Sequence, residues 1–358
     1  MSQSRQHKNF DQPVHNLRAI AIILVVYAHC AAFLPDSRIL YITPDEKNLY
    51  GNIFRLFSGG TYIFAFISGY LSYALFRNTP YIEFIVKKIK HILFPYLFFS
   101  LSLLTVSYAK LRFFGVHWHA VRQFDSWNAV AKALLTGGVQ GHYWYMPFIF
   151  CCFLLTPLIL RLKKNVLYSV VLVLIFVPLL IYPKFVKSDL VITFCTCFAN
   201  YFPSFMFGIV ISVYRNESID LFHKHIFILL CISAASSFIS IYLTVTNLYG
   251  SWTYLLIGAY VSKMPLCVAL LALFNRFNFK CRLIDLIAQN SFTIYFIHCV
   301  VAHVFFHKIF NIITSMGASS CNIVFAFMLS SLIVVLLSLV GSMAMRAVLK
   351  SKARCVIG

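Results

Sequence analysis

Two residues in the first apolar run carry the chemistry that the rest of the chain has to accommodate. The run begins Arg18-Ala-Ile-Ala-Ile-Ile-Leu-Val-Val-Tyr-Ala-His29, with a cation at one end and an imidazole at the other. On a helix, advancing about 100° per residue, the eleven-residue separation amounts to three turns plus roughly 20°. Both side chains therefore share one face, about 16 Å apart along the axis. Charge on a membrane helix is costly unless something polar meets it, so this face marks a candidate site. A neutral imidazole takes a proton from a hydroxyl and returns it to a leaving group, as acyl transfer requires. Packing is the plainer role for His29. For Arg18, two readings stand side by side: phosphate binding and a topology signal at the cytoplasmic end of the helix.

Other polar residues in apolar surroundings complete the candidate list. Ser291, Tyr295 and His298 are spaced four and three apart and share a helix face, which either lines a cavity or joins helices by hydrogen bonds. Lys87, Lys88 and His91 stand where a helix meets the cytoplasmic surface, suited to lipid headgroups or to a nucleotide phosphate. His142 and Trp144 stand at an outer boundary, where an aromatic belt and a sugar platform would use the same residue types. Lys263 is the basic residue farthest from the ends of an apolar run, and either lies near a substrate path or snorkels to an interface. Ser68 lies in a stretch bounded by Gly59-Gly60 and Gly69, whose small residues suit close helix packing. The ten acidic residues fall almost entirely at or beyond span ends, which argues against a paired-carboxylate mechanism or a proton-pump relay.

The elements that must position these residues are membrane helices. The chain has 358 residues, 61% hydrophobic and 11% charged, with a mean hydropathy of +0.83. That composition excludes a soluble protein. Apolar runs long enough to span occur at about 17–34, 53–76, 92–112, 144–161, 166–182, 190–213, 226–244, 252–274, 284–308 and 321–345. The expected fold is an all-α polytopic membrane domain of about ten helices over residues 1–358. A polar tail of about 15 residues precedes it and a basic tail at about 346–358 ends it. The first span reads as an uncleaved signal-anchor.

Alternate loops are rich in Lys and Arg, including Arg77, Lys163, Arg276 and Lys350. This places both termini in the cytoplasm. The formal charge of +20 comes from this distribution, and no basic face for nucleic acid forms. The long loop at about 113–142 is expected to lie at the outer interface or fold over a cavity. The 11 cysteines lack metal or disulfide spacing, so they read as packing residues and no metal is expected.

These features together resemble the acyltransferase-3 family of integral-membrane acyltransferases, over about residues 12 to 345. The Arg18-to-His29 spacing matches its Arg-x10-His motif, and Phe64–Leu71 is similar to its Phe-Phe-x-x-Ser-Gly-Phe-Leu helix. The basic cluster running into Pro95, the start of the fourth span at Trp144, and Ser291…Ile294-Tyr295…His298 follow in the family's order. Departures are His15-Asn16 and Ala19 around Arg18, where the family often has Asp-Gly and Gly, and Lys88 and His91, where it often has arginine.

The resemblance implies transfer of an acyl group, usually acetyl, from acetyl-CoA to a hydroxyl of a cell-envelope glycan or its undecaprenyl-linked precursor, at the bacterial inner membrane. His29 would be the base or acyl relay, and Arg18 would fix it or the CoA phosphates. Acetyl-CoA is then a substrate, and no bound cofactor is expected. Another acyl group such as succinyl, and transport or flipping of a glycan, are the competing readings. The scarcity of mid-span charge and of repeats argues against transport.

Overall fold

A computed structural model describes residues 11–34, 39–54, 59–76, 79–115, 126–180, 189–245, 251–317 and 319–358. Among these the structure is helical throughout, with no strand. The helices are α1 (Gln12–Ala31), α2 (Pro44–Phe54), α3 (Gly60–Phe76), α4 (Tyr81–Lys88), α5 (Phe94–Phe114), α6 (Trp127–Thr136), α7 (Tyr145–Leu160) and α8 (Lys164–Leu174). They continue as α9 (Val177–Leu180), α10 (Leu190–Val213), α11 (Arg215–Val245), α12 (Ser251–Phe277), α13 (Arg282–Thr314), α14 (Ser320–Leu349) and α15 (Ala353–Val356).

Seven helical segments among the described residues are long and apolar enough to cross a membrane: Gln12–Ala31, Tyr81–Phe114, Leu190–Val213, Arg215–Leu243, Ile257–Phe277, Arg282–Thr314 and Asn322–Lys352. Three shorter apolar helical segments, Gly60–Phe76, Tyr145–Leu160 and Lys164–Leu180, fall on the remaining three apolar runs of the sequence. The chain is a multi-pass membrane protein.

The helix carrying Arg18 and His29 is central. α1 packs against α3, α12, α13 and α14, and most of its side chains are buried, whereas α11 is largely exposed at the periphery. Its start is fixed by polar groups. Asp11 caps it, accepting from the Val14 amide, and also accepts from the Tyr70 hydroxyl at 3.2 Å and pairs with Arg215 at 2.9 Å. Asn16 donates to the Phe279 carbonyl at 2.8 Å, and Gln12 to Asp285 at 2.9 Å. The His15-Asn16 departure from the family's pattern thus builds a latch to the segment between α12 and α13.

Two glycine contacts set the packing. A methyl group on Gly69 of α3 would run into the Phe205 carbonyl of α10, and one on Gly208 of α10 would run into the Phe66 carbonyl of α3. The backbones touch reciprocally, which is how membrane helices gain contact area without a hydrophobic driving force between them. Gly137, at φ +75°, ends α6 in the left-handed region, and its α-carbon faces the Trp144 backbone. Only glycine fits both demands.

Several boundaries differ from the sequence expectation. The 53–76 run is split, with α2 ending at Phe54 and α3 starting at Gly60. The 166–182 run is divided into α8 and the short α9. The 92–112 run begins earlier than expected, because one continuous helical rod runs from Tyr81 to Phe114 and takes in Lys87, Lys88 and His91. Residues Ile89–Leu93 in that rod form a π turn. Pro95 has no N–H for the His91 carbonyl, and its ring crowds that turn, so the helix widens just ahead of it.

The basic C-terminal segment is packed rather than trailing. Arg346 donates to Asn290 at 2.8 Å and to the Gly358 carbonyl at 2.6 Å, and Thr293 donates to the Ile357 carbonyl at 3.0 Å. At the opposite end of the rod, His117, Trp118 and His119 lie outside the described residues. Trp127 is exposed on α6. α10 begins at Asp189, which accepts from the Ile192 and Val191 amides; these bonds hold its carboxyl below the usual carboxylate range, so the cap persists in mild acid.

Candidate active site

A cavity of about 670 Å³ opens between α1, α3, the α4–α5 rod, α7 and α13. Its size is that of a small-molecule site. α1 contributes Arg18, which faces the cavity with no hydrogen bond or ion pair among the described residues. A guanidinium in the first two turns of an apolar helix, facing a cavity, is suited to an anionic partner. The rod adds Lys87, Lys88 and His91. Lys87 is exposed and pairs with Glu83 at 2.5 Å.

Lys88 is different. Its ammonium lies over the rings of Phe153 at 4.1 Å and Phe84 at 5.0 Å, and it feels the charge of Arg18. No carboxylate pairs with it among the described residues. Two cations thus face one cavity and repel each other there, an arrangement that an anionic ligand relieves.

The far wall is polar and aromatic. Ser68 of α3 lies 3.3 Å from the Tyr145 hydroxyl. Ser291 and Tyr295, one turn apart on α13, line the same space. The stripe read from the sequence therefore lines a cavity over its first two members. Gln289 and Gly358 also reach the lining, so the folded-back C-terminal segment helps close it.

His298, the third member, lies beyond Tyr295 in a second group. The ring of His29 is 5.1 Å from that of His298 and 5.3 Å from that of His142, and the last two are 4.7 Å apart. Neither His29, His142 nor His298 borders the cavity. Tyr295 stands between, lining the cavity with its ring 5.0 Å from His142 and 6.1 Å from His298.

The turn at Gly141–Trp144 carries His142 inward. Bonds to α13 hold it there. His142 Nε2–H donates to the Tyr295 carbonyl at 2.9 Å, Tyr143 donates to the Phe296 carbonyl at 3.2 Å, and the Tyr295 hydroxyl donates to the His142 carbonyl. On α13 itself, His298 Nδ1–H donates to the Ile294 carbonyl at 3.1 Å. Because carbonyls only accept, these bonds fix both tautomers and leave Nδ1 of His142 and Nε2 of His298 as lone-pair nitrogens.

Two candidates fall outside both groups. Trp144 is buried and packs on Tyr201, with ring centroids 4.7 Å apart. Lys263 is buried on α12 against Gly59. Residues that sequence reasoning missed are Tyr145, which joins Ser68 and faces Arg18, and Cys299. Tyr145 carried a signal, being part of the Trp144 boundary motif. Cys299 carried none, since its partners are distant in sequence.

The fold thus brings together, inside a helical membrane protein, a cavity faced by two cations and a neighbouring group of three imidazoles. Residues 13–347 match the acyltransferase-3 family, described as an acyltransferase domain. The chain belongs to that family and is a membrane acyltransferase. No curated protein and no solved structure matches it.

Proposed function

We propose that the protein transfers an acetyl group from cytosolic acetyl-CoA to a hydroxyl of a cell-surface polysaccharide or its lipid-linked precursor. The observation that carries this is the pairing of Arg18 and Lys88, two cations without a carboxylate at one cavity. Acyl-CoA is a polyanion with a long neutral arm. In this reading its phosphates meet Lys88, His91 and Arg18, and the arm runs past Ser68, Ser291 and Tyr145. The thioester passes the Tyr295 wall toward His29.

There His29 takes the proton of the acceptor hydroxyl while that oxygen attacks the thioester carbonyl. The C–S bond breaks, and the imidazolium returns the proton to the departing thiolate. In this reading the chain has ten spans with both termini cytoplasmic in the inner membrane, so donor and acceptor approach from opposite faces.

Membranes carrying the protein or its His29→Ala variant, incubated with acetyl-labelled acetyl-CoA and the host's envelope glycans, test this. Base-labile label should enter a glycan fraction only with the unmodified protein. No label with acceptor present would exclude acetyl as the group. Failure with other acyl donors as well would favour glycan transport.

A further inference from the structure

The histidine cluster has a fourth member. Cys299 follows His298 on α13, and its Sγ lies 3.3 Å from His298 Nε2. One ring nitrogen from each of His29, His142 and His298 and the Cys299 sulfur all lie within 4.8 Å of one another. Three separate elements supply them: α1, the Gly141–Trp144 turn and α13. We propose that these four side chains form a binding site for Zn2+, and that the ion silences the enzyme by occupying His29. The second half of this rests on the role given to His29 above; the first half does not.

Three observations carry the site. The donor set is three imidazoles and one thiol, with no oxygen, which suits zinc and excludes Mg2+ and Ca2+. The separation is close to what coordination needs: a tetrahedral ion with bonds of about 2.0–2.3 Å holds its donors about 3.4–3.6 Å apart. Contraction by about an ångström closes the set.

The outer bonds are also in place. Metal-ligating histidines give their other N–H to a carbonyl or carboxylate, which orients the ring and raises its basicity. His142 does so to Tyr295 and His298 to Ile294. The nitrogens aimed at the centre are thereby lone pairs. The thiol supplies one hydrogen to them, and on binding it leaves as a proton to solvent, the thiolate replacing it as ligand. The His29 ring, beside those of His142 and His298, has no hydrogen bond of its own among the described residues, so no bond fixes its tautomer against the ion.

Full-length protein purified in detergent and stripped with a chelator, then titrated with Co2+ as a spectroscopic stand-in, tests the site. One equivalent should give the intense visible bands of a tetrahedral ion and a thiolate-to-cobalt band in the near ultraviolet, both bleached by Zn2+. Cys299→Ser should lose the thiolate band and bind at least about tenfold more weakly. His298→Ala should lose the one-equivalent binding, and if that variant does not fold, Cys299→Ser alone decides. A weak octahedral spectrum, or a thiolate band that survives Cys299→Ser, would overturn the site.

Acyl transfer by the same preparation should fall with stoichiometric Zn2+ and recover on chelation. A rate that falls on chelation would overturn the silencing role. Failure of cobalt binding leaves the acyl-transfer reading intact, whereas activity retained by metal-free His29→Ala would remove that reading and leave the site standing.

Discussion

The cavity and the histidine cluster are neighbours built on opposite principles. The cavity presents charge to an open space: Arg18 and Lys88 face it without a paired carboxylate among the described residues, while Lys87 on its lining is exposed and pairs with Glu83. The cluster directs lone pairs at its own centre, with His142, His298 and Cys299 buried, His29 half-buried, and the tautomers of His142 and His298 set by backbone carbonyls. Charge suits recognition of an anion. Imidazoles with lone pairs turned inward suit proton transfer or metal binding. The two halves of one Arg-x10-His motif therefore serve different chambers, about three helical turns apart, with Tyr295 as the wall between them.

The largest effect that would break or sharpen this division is expected at His29. His29→Ala should lower turnover by about 100-fold or more, while acyl-CoA binding, measured directly on the purified protein, stays the same. Loss of donor binding as well would mean that the chambers are not separate. Arg18→Ala should act the other way, raising the KM for acyl-CoA about 10–100-fold, the worth of a charge-assisted contact. Arg18→Lys should raise it less, because the charge remains while the planar fork is lost. Equal loss in both variants with normal donor binding would make Arg18 an orienting group for the cluster.

Lys88→Ala should raise KM by only several-fold, and that increase should shrink as salt is added to the assay, since its contact is with a charge at an open cavity. Ser68→Ala removes one 3.3 Å contact to Tyr145 and should change turnover by no more than about threefold. A larger effect would bring Tyr145 into the chemistry.

Much of the helical framework was legible in the sequence, and the reasons are local. Hydropathy located every apolar helix, because bilayer thickness imposes length on composition. The 3.6-residue period placed Arg18 with His29 and Ser291 with Tyr295 on shared faces. Three things were not legible. Whether Lys88 is a surface anchor or a cavity cation depends on the π turn that keeps the rod continuous, and π turns leave little trace beyond a nearby proline. The meeting of His142 with His29 depends on a turn whose side chain-to-carbonyl bonds pair residues 153 apart. Cys299 looked like packing because metal spacing is read along the chain, and here the ligands come from three elements. Lys263 and Trp144, singled out for polarity and aromaticity at plausible depths, lie away from both groups, a placement that spacing along the chain does not encode.

The π turn at Ile89–Leu93 has one more consequence, for insertions and deletions. A π turn holds one residue more than the α turn it replaces, so the rod is two helices joined in a register offset by about a quarter of a rotation. Removing a single residue from this turn would not shorten the span enough to matter to the bilayer. It would instead rotate Lys87, Lys88 and His91 about 100° relative to Tyr96, whose hydroxyl is bonded to the Leu134 carbonyl at 2.5 Å. Natural length variation in this family should therefore be tolerated in the loops between helices but scarce between Glu83 and Tyr96, where one residue decides which way the cations face.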